Sequence, residues 1–334
     1  MNHKIVFFLL GYLCLSTNGL VAQQDAQYTQ FMYNKGYYNA AYPGMRGMPS
    51  FTALYRNQWV GMNGAPVSQI LAFDMPIFNN SGGLGINLGH TSIGIFNNWN
   101  ASLAYSYKLR IDANKALRIG VMASLRHLRV RFTDPQSVSE MTDDPSIPFI
   151  DEQDTNGNFG AGIFYTDKSF FIGASVPAIN NNVISFNQGG GGSNTAQESP
   201  HYYFTLGGMF YVEKKLHLKP SLLIKYVKNA PLDFDLNFSA VYDYRLSAGL
   251  SYRYGGVTSN FGESLDILFF YQLNNSTGLG VSYDIPLSKL GGVDIQNNRN
   301  RNGGSFEVML RYDIKSEKYY KDLPPELDDL RRFL

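Results

Sequence analysis

The sequence predicts an all-β fold: a transmembrane antiparallel up-and-down β-barrel of about fourteen strands, with short periplasmic turns and long extracellular loops. Three observations predict it. Segments of about ten residues alternate apolar and polar side chains from Ser50 to Ile314. The apolar faces carry Tyr, Phe and Trp besides Leu, while charged residues return to the opposite face, which suits lipid outside and a polar lumen inside. The connections also alternate in length along the chain, as they do when all the tight turns lie on one side of a membrane.

The first 22 residues read as a secretory signal peptide. Lys4 supplies a positive start, Ile5 to Leu15 an apolar run too short to span a bilayer comfortably, and Leu20-Val21-Ala22 a small-residue exit before Gln23. Cys14 is the only cysteine and lies inside this segment, behind a Leu13 that is too large for a lipoprotein cleavage site. The mature chain is therefore expected to have neither disulfides nor thiolate chemistry. Residues 23–49, rich in Tyr, Asn and Gln, precede the first strand and are expected either to stay in the periplasm or to plug the barrel.

The barrel is expected over 50–314. Its strands fall near 50–59, 66–76, 83–92, 97–110, 115–132, 158–166, 169–177, 201–212, 215–228, 232–242, 245–254, 264–273, 277–286 and 304–314. Leu232, Phe234, Leu236, Phe238 and Ala240 share one face of their strand; Asp233, Asp235, Asn237 and Ser239 share the other. The strand at 245–254 sets Leu246, Ala248, Leu250, Tyr252 and Tyr254 against Arg245, Ser247, Ser251 and Arg253. In the last strand Phe306, Val308, Leu310, Tyr312 and Ile314 oppose Ser305, Glu307, Arg311 and Asp313. Arg or Lys facing lipid at mid-bilayer would cost roughly 2–4 kcal/mol, so this sorting has an energetic cause. Short even-numbered connections centre on Asn79-Asn80, Asp112 to Asn114, Asp167-Lys168, Glu213-Lys214, Asp243-Tyr244 and Asn274-Asn275. The long connections, 133–157, 178–200, 255–263 and 287–303, are all odd-numbered. Residues 315–334 form a periplasmic C-terminal tail in which Pro324-Pro325 could open a short helix. Leu327, Leu330 and Leu334 would share a face there and are the candidate partner-binding residues.

The chain carries 28 basic and 27 acidic residues without a basic stripe, which argues against nucleic acid. Chemistry is poorly marked. His90, His127, His201 and His217 are scattered, no GxSxG elbow frames a serine, and a triad drawn from several strands would leave no local motif. Gly189 to Gly192 reads as a loop tip, because no Lys-Ser/Thr follows it. Gly83, Gly85 and Gly89 read as small lumen-facing residues, because no helix pattern follows them. Glu152-Gln-Asp154-Thr-Asn156-Gly157, placed in an external loop, resembles the start of a calcium loop. It has Glu where Asp should open the loop and Ile163 where a bidentate Glu belongs, so a solvated acidic loop is the better reading. No catalytic, cofactor or metal site is expected.

Three words in the N-terminal third carry a family resemblance. Gln27-Tyr-Thr-Gln-Phe-Met-Tyr-Asn34, Tyr38-Asn-Ala-Ala-Tyr-Pro-Gly44 and Leu54-Tyr-Arg-Asn-Gln-Trp-Val-Gly61 occur in order, followed by Gly64-Ala-Pro66, Gly82-Gly-Leu-Gly-Ile86 and Ser92-Ile-Gly94. The chain resembles the PorP/SprF outer-membrane proteins of type IX secretion. That resemblance implies an outer-membrane barrel that supports export or surface attachment of a large adhesin, often in gliding motility, or that anchors the secretion machinery. The partners it implies are a secreted adhesin's C-terminal domain, or the periplasmic ring and a peptidoglycan-binding lipoprotein, besides outer-membrane lipids. It carries no catalytic motif. Two other classes compete: a fatty-acid-transporter-like channel for small apolar solutes, by analogy of architecture, and a lipid hydrolase, for which no residue pattern speaks.

Overall fold

The computed structural model describes residues 26–112, 114–133, 150–187, 193–255, 262–287, 292–294 and 299–315. The signal peptide, the Gly189–Gly192 loop tip and the tail leucines Leu327, Leu330 and Leu334 lie outside them.

The barrel strands are β1 (Ser50–Asn57), β2 (Val67–Ile77), β3 (Gly82–Ile93), β4 (Phe96–Arg110), β5 (Ala116–Val130), β6 (Glu152–Thr166) and β7 (Phe170–Val176). They continue with β8 (His201–Gly208, resumed at Phe210–Glu213), β9 (Leu216–Val227), β10 (Asp233–Tyr242), β11 (Leu246–Tyr254), β12 (Ser264–Gln272), β13 (Thr277–Pro286) and β14 (Ser305–Asp313). Each strand pairs antiparallel with its sequence neighbours. β1 closes the cylinder on β14, with Ser50 opposite Asp313 and Arg56 opposite Glu307. Closure leaves no unpaired edge in the hydrocarbon, the condition for a sheet to cross a membrane. The fold is a closed fourteen-stranded barrel, as the alternation requires.

The two faces sort as the period of two dictates. In β14, Phe306, Val308, Leu310 and Tyr312 point out while Ser305, Glu307, Met309, Arg311 and Asp313 are buried inside. In β10 and β11, Leu236, Phe238 and Leu250 face out, and Asp235, Asn237, Ser251 and Arg253 face in. Arg245 stands outside this pattern: it sits exposed in the turn before β11. That turn spans Asp243 to Arg245 between the paired Tyr242 and Leu246, with φ of 51° at both Asp243 and Tyr244, the left-handed pair that matches strand twist.

Strand ends depart from expectation mainly above the turn-poor side. β6 begins at Glu152 rather than 158, and Glu152 to Gly157 pair with Val130 to Leu125 of β5. The acidic segment is therefore strand and not a calcium-type loop: Glu152, Asp154 and Asn156 simply occupy alternate positions facing inward. Its own strict alternation is the reason, and pairing with β5 overrides the turn signal of Asn156-Gly157. The long connections are also partly structured, with hairpins at Val183–Asn187 with Ser193–Gln197 and at Gly292–Asp294 with Arg299–Asn302.

The core lies inside the cylinder. Residues 26–49 run through the lumen, from Gln27 beside the first residue of β10 to Arg46 beside the last residue of β14. They contain a 3-10 turn, Phe31–Tyr33, and one α-helical turn, Lys35–Tyr38. The lumen is less polar than expected because Phe31, Met32, Tyr33, Tyr42 and Met45 of this plug need apolar partners. They find them in Leu54, Phe164, Phe171, Phe270 and Met309 of the wall.

Candidate functional site

The plug is held at three levels. Nearest the long-loop mouth, the backbone N–H groups of Thr29 and Gln30 each donate to one oxygen of Glu307, both at 2.9 Å. Thr29 Oγ1 donates to Asp284 at 2.8 Å, and Gln27 Nε2 to Asp233 at 2.7 Å. Behind these contacts lies a buried charge network. Arg56 pairs with Asp284 at 2.6 Å and Glu307 at 3.4 Å; Lys225 pairs with Asp235 at 2.7 Å; Arg253 meets Asp235 at 2.5 Å. The alternation of β1, β9, β10, β11, β13 and β14 puts all of these charges inside, where only mutual pairing makes burial tolerable.

At mid-lumen, Asn39 Nδ2 donates to the carbonyls of Ile163 and Ala174, and Ser175 donates to the carbonyl of Tyr38 at 2.8 Å. Tyr33 stacks on Phe270 with ring centres 4.7 Å apart. Lys35 Nζ lies 4.8 Å from the Phe171 ring centre and Lys219 Nζ 4.3 Å from that of Tyr33, geometry in which cations are attracted to ring faces. At the short-turn end, Ser106 and Arg118 donate to the Pro43 carbonyl and Arg118 also to Gly44. Arg46 pairs with Asp313 at 2.7 Å.

The wall makes room for this chain with glycine. A Cβ at Gly83 would overlap the Pro43 carbonyl, one at Gly120 the Ala40 carbonyl, and one at Gly162 the Asn39 side chain. Gly83 and Gly85 are thus lumen-facing, as read from the sequence, and both meet Pro43. The words that carried the family resemblance are largely the plug and its contacts: Gln27, Thr29 and Gln30 in the first, Asn39, Pro43 and Gly44 in the second, Arg56 in the third.

The histidines stay apart. His90 stacks on Trp99, His127 bonds Thr155 at 2.8 Å, His201 meets the Ser199 carbonyl and His217 bonds the Tyr244 hydroxyl at 2.9 Å. Among the described residues no group of His, Cys, Asp or Glu is arranged to hold a metal. Outside the strands, Asp151 accepts from the Thr133 hydroxyl at 2.7 Å and from Arg129 at 2.8 Å. Those bonds, Thr133 first, hold its carboxyl below the usual range.

Sequence reasoning missed the wall side of the plug site. Its signal was present in charges that alternate with apolar residues on separate strands, but nothing in one strand says which other strand its charge meets.

The family described as type IX secretion system membrane protein PorP/SprF matches residues 20–312. No curated protein matches. Solved structures similar to the chain include a Pseudomonas aeruginosa FadL homologue, at 12% identity and TM-score 0.49 over 86% of this chain and 94% of that one. Others are the Acinetobacter baumannii outer membrane protein Omp33, at 6% and 0.44 over 80% and 98%, and the CymD monoaromatic hydrocarbon channel, at 9% and 0.45 over 89% and 95%.

Proposed function

The chain belongs to the PorP/SprF family of type IX secretion membrane proteins, and from that premise we propose that this outer-membrane barrel is a protein-binding anchor rather than a conduit or an enzyme. Its role is to support export or surface attachment of a specific large adhesin, through the adhesin's C-terminal domain, or to hold the secretion machinery through its periplasmic ring and peptidoglycan-binding lipoprotein. The observation that carries this reading is the plug. A chain tied to the wall at the mouth, the middle and the turn end stands across the lumen, and a barrel built that way offers its rims and loops to partners. Residues 315–334, with Leu327, Leu330 and Leu334, are the proposed periplasmic contact.

The test is affinity purification of the tagged protein from crosslinked native outer membranes. Recovery of a large secreted adhesin supports the first branch; recovery of ring components supports the second. Deleting 315–334 is expected to reduce ring recovery while the barrel still folds. A barrel recovered alone, with measurable uptake of small apolar solutes, would overturn the reading in favour of a channel.

A further inference from the structure

Between the plug and the long-loop mouth lies a cavity of about 390 Å³, within the ~300–1,000 Å³ of small-molecule sites. Tyr28, Tyr37 and Tyr38 of the plug form its floor, the inner faces of β3 to β6 its wall, and residues 177–180 and 198–201 part of its rim.

Three properties of the lining decide what fits. Its charge is cancelled: Arg126 pairs with Glu198 at 2.8 Å, and Asn182 donates to the second Glu198 oxygen at 3.1 Å. An ionic ligand would find no opposite charge in excess there and would lose its hydration. Polar groups line up across β4, β5 and β6 in two rungs, Asn100 beside Arg126 beside Asn156 and Ser102 beside Ser124 beside Asn158, about 4.8 Å apart from strand to strand. Finally, Asn100 and Ser124 line the cavity and are only partly buried, so an amide and a hydroxyl are open to it.

The geometry points to a binding site for a neutral saccharide of one or two rings. A sugar ring offers an apolar face to tyrosine and hydroxyls around its whole edge, and those hydroxyls both donate and accept, as amide and hydroxyl linings require. A wholly apolar ligand would cover the Asn100 amide and the Ser124 hydroxyl without bonding them. An extended peptide presents its polar groups in one plane, whereas here they lie on floor and wall alike. The site is independent of the secretion reading: a failed pull-down would leave it standing, and its own failure would not touch the pull-down.

The test uses the full-length protein purified in an alkyl amine oxide detergent, which carries no sugar headgroup. Saturation-transfer NMR would be recorded with maltose, cellobiose and diacetylchitobiose, with galacturonate as the charged comparison and an end-capped tripeptide as the peptide comparison. At least one neutral disaccharide is expected to bind saturably, galacturonate and the tripeptide are not, and Asn100→Leu should weaken binding tenfold or more. Folding of the variant is checked by the heat-dependent gel mobility of the barrel. Should Asn100→Leu fail to fold, Ser124→Ala, which removes a lining hydroxyl and adds no bulk, gives the same reading. Absence of binding by every neutral sugar, equal binding of galacturonate or tripeptide, or binding that survives the variant would overturn the assignment.

Discussion

Glu307 joins the plug, the wall and the charge network in one carboxylate. It is fully buried, accepts two plug amides and lies 3.4 Å from Arg56. Removing one partner of a buried ion pair typically costs about 3–5 kcal/mol, because the remaining charge stays in a dry site. Glu307→Ala is therefore expected to destabilise the protein by about that much, and Glu307→Gln by less, since an amide oxygen still accepts from one backbone N–H. Denaturant midpoints followed by heat-dependent gel mobility would check this; a Glu307→Gln variant as stable as the parent would deny the charge a role. On the opposite face, Leu250 is 54% exposed at the centre of β11. Leu250→Arg is expected to cost roughly 2–4 kcal/mol in a bilayer and much less in a detergent micelle that lets the side chain reach water.

The plug and the strands that make room for it are coupled through backbone approach. Gly120 of β5 faces the Ala40 carbonyl with no space for a Cβ, whereas a Cβ at Gly89 of β3 would make only ordinary contacts, the nearest at 3.9 Å. Gly120→Val should expel the middle of the plug, at an overpacking cost of about 1–3 kcal/mol, and open single-channel currents in planar bilayers. Gly89→Val, on the same side of the wall, should stay closed. Currents from both, or from neither, would mean the plug is not held by this approach. At the mouth, the tie from Asp151 to Thr133 and Arg129 has a defined pH sense. A carboxyl held below its ordinary pKa contributes stability that is present above that ordinary value and lost as pH falls through the lowered one. The Thr133 amide resonance should therefore stay unchanged from pH 7 to pH 5 and move only below the usual Asp range near 3.9.

At the scale of the molecule, the barrel and plug divide the work of stability. Strand pairing and the apolar belt hold the cylinder in lipid, while the lumen is filled by a chain whose own apolar face is satisfied only there. Removing residues 26–49 is expected to leave a closed barrel with an aqueous lumen: the protein should still show heat-dependent mobility, conduct ions, and fall in stability because the network around Arg56 and Asp284 loses Thr29. A deletion variant that remains electrically silent would place the barrier elsewhere.

The strands were legible because each needs only its own residues. The alternation in Asp233 to Tyr242 or Ser305 to Asp313 fixes which side chains face lipid, and the chain order of short and long connections fixes which end carries the turns. The start of β6 was misplaced because Glu152, Asp154 and Asn156 look like loop residues until β5 is there to pair with them. By itself the sequence determined the fold class, the sorting of the two faces and the family, all properties of local period and of words in one stretch of chain. Only the tertiary structure decided that Glu307, Asp284 and Arg56 converge on Thr29, that glycines on three strands admit the plug, and that tyrosines of the plug and asparagines of the wall enclose a cavity. Those contacts join residues more than two hundred positions apart in the case of Thr29 and Glu307, and period carries no information about which strands a closed cylinder brings face to face.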